Sequence, residues 1–149
     1  MKRINQYKKL FSVEKEIDLK VLKTTYRNLV KAWHPDKFQG DDPKYKEAEV
    51  QSQIIIDGYH FLVSIAPETL AANLEVYTET ITNSGIADYS HKGLLLEITF
   101  LDGTTYEYFG VTKTIYIKMI NSNKLSRFAK RTIYPNHLYR KSKRTVKGD

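Results

Sequence analysis

The sequence predicts an α+β fold in two parts: an all-helical N-terminal domain, then a small α+β domain with a short antiparallel sheet and one or two helices. Three observations predict it. Apolar residues recur at helical spacing through Leu19, Leu22, Tyr26, Leu29, Val30 and Trp33, and again, around Ser52, through Ala48, Ile55, Tyr59 and Leu62. The period then changes. "LLLEITF" and "TTYEYFGV" read as two strands around Asp102-Gly103, a strong hairpin-turn signal. Between the halves lies "YTETITNSG", Tyr77 to Gly85, polar enough for a linker.

The elements follow in order. Ile4 to Phe11 forms a short helix. Asp18 caps the helix that starts at Leu19, and Pro35 ends it, because proline cannot continue the hydrogen-bond ladder and restricts the residue before it. Asp41 or Asp42 caps the next helix, with Pro43 in its first turn, and that helix runs to about Ile65. Pro67 opens a last short helix through about Glu75. "GIADYS" supplies a third strand. Beyond Val111 helical spacing returns at Ile115, Met119, Ile120, Leu125 and Phe128. The chain therefore divides into a helical domain at 1–77, a linker at 78–83, an α+β domain at 84–139 and a basic, disordered tail at 140–149.

Composition narrows the function. The chain has 149 residues, 41% hydrophobic and 28% charged, ordinary for a globular protein. It has no cysteine, which excludes disulfides, thiolate metal sites and cysteine nucleophiles and fits a reducing, cytoplasmic setting. The start, "MKRINQYKKLF", lacks the apolar segment of a secretory signal, and no apolar run approaches the roughly 18 residues of a membrane span, so no membrane partner is expected. The net charge of +7 is uneven. Residues 1–77 carry twelve Lys/Arg against eleven Asp/Glu, and residues 78–149 carry twelve against six. From Val111 to Gly148 there are eleven basic residues and no acidic one. Such asymmetry suits either a polyanionic partner or a solvated basic face.

The stretch "RNLVKAWHPDKFQG", Arg27 to Gly40, holds the most specific signal. At 100° per residue, Lys20, Lys23, Arg27 and Lys31 fall within about 80° of one another, beside the apolar stripe. The basic side leads to His34, Pro35 and Asp36. Proline between two polar residues fixes their directions, which suits a rigid recognition corner better than proton transfer. No second acid or base is placed there by spacing. His60, His91 and His137 follow no ligand pattern, so neither a metal nor another cofactor is expected.

The segment from about Gln6 to Tyr77 resembles a J domain, the module of DnaJ-type co-chaperones. The stretches that carry the likeness are "YKKLFSV", "LKTTYRNLVKAWHPDKF", "EVQSQIIIDGYHFL" and "SIAPETLAAN", in family order. The resemblance implies a helical hairpin joined by a His-Pro-Asp loop. It implies a partner, the ATPase of the seventy-kilodalton heat-shock chaperone family. It gives His34, Pro35 and Asp36 as the corner that stimulates hydrolysis, with Lys20, Lys23, Arg27 and Lys31 as the docking side. The module itself catalyses nothing, so no enzyme activity is expected. Asn28 and Ala32 depart from the family, which often has basic residues there.

Ser84 to Pro135 resembles the KTSC domain, named for a domain at the C-terminus of some lysyl-tRNA synthetases, for which RNA binding is a suggested role. Tyr89, Leu96, Phe100, Gly103, Tyr106-Glu107-Tyr108, Val111, Tyr116 and Ser122 carry the likeness, while Asn121 and Lys124 depart from it. Alternation along a strand puts Tyr106 and Tyr108 on one face. They are either a base-stacking platform or core beneath the following helix. In the first case Lys118, Lys124, Arg127, Lys130 and Arg131 would hold phosphates. Two functions follow as expectations. One is a co-chaperone whose second domain holds a protein client or RNA. The other is an RNA-binding or ribosome-associated adaptor whose J domain only docks.

Overall fold

Caps placed where the sequence puts them set the helices of the first unit. The computed structural model describes residues 2–40 and 42–142. Residues 2–69 form one unit and the chain from Leu70 forms a second.

In the first unit, α1 spans Lys2–Leu10, α2 Leu19–Trp33 and α3 Pro43–Ile65. The Asp18 carboxylate accepts the Lys20 and Val21 amides at 2.9 and 3.3 Å, and Asp42 caps α3 through the Lys44 amide at 2.9 Å, while Asp41 lies outside the described residues. Helices α2 and α3 run antiparallel. Tyr26 stacks on Tyr59 with ring centroids 4.1 Å apart, while at the other end Ser52 donates its hydroxyl to the Trp33 carbonyl at 2.7 Å. Positions rise along one helix as they fall along the other. Leu22, Ala48, Ile55, Leu62 and Ile65 are buried in this hairpin. Helix α1 packs across α3 at Gly58, where an added Cβ would stand 2.8 Å from the Tyr7 ring. Only glycine lets these backbones approach so closely.

The second half of the chain departs from expectation at its start and its end. The helix that begins at Pro67 stops at Ala72 (α4, Pro67–Ala72) and is followed by α5, Leu74–Asn83. The stretch expected as a linker at 78–83 is thus helical. Its polar composition misleads because few of its positions need be apolar: Tyr77 and Thr80 are buried one turn apart, and the intervening polar residues face outward.

Among the described residues the sheet has four antiparallel strands in sequence order: β1 Ile86–Lys92, β2 Leu95–Phe100, β3 Thr105–Phe109 and β4 Tyr139–Lys141. Gly103 closes the β2–β3 turn at φ 89°, the left-handed conformation the Asp-Gly signal implies. Helices α6, Lys113–Ile120, and α7, Leu125–Phe128, follow, and α7 runs into one π turn over Ala129–Ile133. The core gathers Tyr77, Leu96, Ile98, Phe100, Tyr106, Tyr108, Val111, Met119, Ala129 and Ile133. The tail expected at 140–149 is corrected at its first residues. Arg140 and Lys141 lie in β4, with Arg140 opposite Glu107, because a buried carboxylate on β3 gives the arginine a partner. Residues 143–149 lie outside the described residues. Among the described residues, no helix is long and apolar enough to cross a membrane.

Candidate functional site

The His34 corner is built by a change of backbone direction. Helix α2 ends at Trp33, and His34 turns extended, at φ −61° and ψ 129°, as the residue before a proline must. Pro35–Lys37 then forms a single 3₁₀ turn. His34 caps that turn with its own ring: Nδ1 accepts the Asp36 amide at 3.2 Å and lies 3.5 Å from the Asp36 carboxylate. The His34 and Asp36 side chains are 50% and 92% exposed. Local bonds fix the corner, and its polar groups remain open to solvent. The half-exposed His34 ring is held by its bond to the Asp36 amide, so a partner can read it without reorganising it. Lys20, Lys23, Arg27 and Lys31 are all exposed on α2, so the basic side and the corner are available together.

In the second unit the predicted residues separate. Tyr106 is 3% exposed and Tyr108 fully buried, so the two rings are core and cannot form a base-stacking platform. They do share a face, as alternation requires, but the face is the one covered by helices. The Tyr77 and Tyr108 hydroxyls pair at 2.9 Å, Tyr77 stacks on Tyr139 at 3.8 Å, and burial pushes the Tyr77 and Tyr108 hydroxyls far above their ordinary pKa. On the opposite face, Glu107 and Arg140 form a buried ion pair. Neither residue was readable as a pair from sequence, because Arg140 sits in a basic run and its partner is 33 positions away.

The five cations keep their exposure. Lys118 lies on α6 and Lys124 precedes α7, where the Ser122 hydroxyl bonds the Lys124 backbone at 3.3 Å as a local brace. Arg127, Lys130 and Arg131 follow three and four residues apart along α7 and the π turn, which brings them toward one side. The Lys130 ammonium reaches the Thr82 carbonyl at 3.3 Å. Among the described residues, no group of three His, Asp or Glu side chains is placed to hold a metal ion.

Residues 82–139 match the KTSC domain family, and they form a KTSC domain. No J-domain match accompanies it. No curated protein and no solved structure matches the chain.

Proposed function

On the premise that residues 82–139 are a KTSC domain, we propose that the chain is a J-domain co-chaperone. Its helical unit docks on and stimulates the ATPase of a seventy-kilodalton heat-shock chaperone, and its KTSC domain holds the cargo. One observation carries the reading. The His34-Pro35-Asp36 corner is exposed and locally rigid, and it follows directly from a helix whose four cations, Lys20, Lys23, Arg27 and Lys31, are exposed. The antiparallel α2–α3 hairpin supports it, since it is the frame the resemblance implies. A basic helix side suits an acidic ATPase surface and mainly sets encounter rate and orientation.

The test is single-turnover ATP hydrolysis by such an ATPase, with this protein and with His34→Gln. Wild type accelerates hydrolysis, and the variant does not, while its helical circular dichroism stays unchanged because the ring is half exposed. Absence of acceleration by wild type overturns the reading. Binding without acceleration leaves the corner a docking element only.

A further inference from the structure

A groove in the second unit is lined by Ile81, Thr82, Lys130, Tyr134 and Pro135 and measures about 290 Å³. That is the low end of ligand-pocket size, enough for one or two side chains. Its walls are largely apolar: the Ile81 side chain, the Tyr134 ring and the Pro135 ring. Its one charged lining residue is Lys130, which is exposed and donates to the neutral Thr82 carbonyl at 3.3 Å. Among the described residues, no carboxylate pairs with it. The π turn is what places it. In this turn the Tyr134 amide reaches back to the Ala129 carbonyl at 2.9 Å, one residue further than an α-helix allows. Such turns are rare and concentrate at functional positions. Arg127 and Arg131 stand exposed on the same segment, and from residue 111 to residue 142 the sequence has no acidic residue.

We infer that this groove binds an acidic peptide segment in which a carboxylate-bearing residue neighbours an apolar one. The apolar side chain fills the space between Ile81, Tyr134 and Pro135, and the carboxylate meets the Lys130 ammonium. The surrounding positive field steers such a segment toward the groove. Tyr134 is 9% exposed, so it offers no broad aromatic face on which a base could stack. The inference is independent of the co-chaperone reading, because the binding needs no ATPase.

The experiment is fluorescence anisotropy of a short labelled peptide of alternating Leu and Asp, titrated with the full chain at low salt. Wild type binds it. Lys130→Gln weakens binding about fivefold, the size of one partly exposed ion pair. Lys118→Gln removes the same charge from α6 and has a smaller effect. A peptide with Asn in place of Asp, or Gly in place of Leu, binds much more weakly. Absence of binding overturns the inference. So does equal loss in Lys130→Gln and Lys118→Gln, or equal binding of the Gly-Asp peptide, because either would mean a diffuse field and no groove. Tighter, Lys130-dependent binding of a single-stranded oligouridine would also overturn it and make the groove a nucleic-acid site.

Discussion

Replacing Arg140 by leucine should unfold the KTSC domain far more readily than loss of one surface cation would. Glu107 and Arg140 stand opposite each other on β3 and β4, with side chains only 7% and 11% exposed. Glu97 on β2 faces Glu107 in the same ladder. Removing the guanidinium leaves Glu107 buried without it, with a second carboxylate directly across the strand pair. Breaking a buried pair from one side costs about 3–5 kcal/mol, and like charges opposite one another add to the loss. For a unit of this size about 3 kcal/mol lowers the melting temperature by on the order of 12 °C or more. The assay is urea unfolding followed by tyrosine near-ultraviolet circular dichroism. Emission from Trp33, the single tryptophan, is a separate read-out of the helical unit. Arg140→Leu combined with Glu107→Leu should recover most of the loss, because two apolar residues carry no charge to desolvate. A single-variant cost below about 1 kcal/mol, or a double variant as costly as the sum of the singles, would refute the reasoning.

Further outcomes rest on hydroxyl and carboxylate partners in the same domain. Tyr77→Phe or Tyr108→Phe alone should each cost about 1–3 kcal/mol, since the remaining buried hydroxyl loses its partner, whereas the double Phe variant should be nearer wild type in the same urea assay. Burial alone would raise the Asp102 carboxyl, but hydrogen bonds from Thr104 and Thr80 outweigh it and hold the group below the usual carboxylate range. Its stabilising contribution is therefore present at neutral pH. It is lost as pH falls below the ordinary carboxylate value and through the depressed one. Asp102→Asn should accordingly show a smaller loss of stability between neutral and acid pH than wild type, measured by urea midpoint against pH.

Much of the helical hairpin was legible because its signals are local. Asp18, Asp42 and Pro35 act on the few residues beside them, and the Asp-Gly turn fixes its own geometry. What escaped was decided by partners distant in sequence. "YTETITN" reads as a polar connection until Tyr108 and Tyr139 supply a place for Tyr77. "RK", Arg140 and Lys141, reads as the start of a tail until Glu107 supplies a place for Arg140. Alternation told that Tyr106 and Tyr108 share a face. Which face it was depended on Met119, Ala129 and Ile133 arriving from helices later in the chain. At the corner the residues were readable one by one, and the structure added that His34 caps its own turn and stays open to solvent.

The Tyr77–Tyr139 stack has a consequence for how this domain could be cut out or inserted elsewhere. Tyr77 sits on the helix that leads into the sheet, and Tyr139 on the last strand out of it. Entry and exit are therefore clasped face to face, as in a cassette whose two leads leave from one socket. A module with adjacent leads can be spliced into a host chain without rerouting that chain. A cut placed in the polar stretch at 78–83 would instead leave half of the clasp behind. Excision upstream of Leu74 keeps it whole.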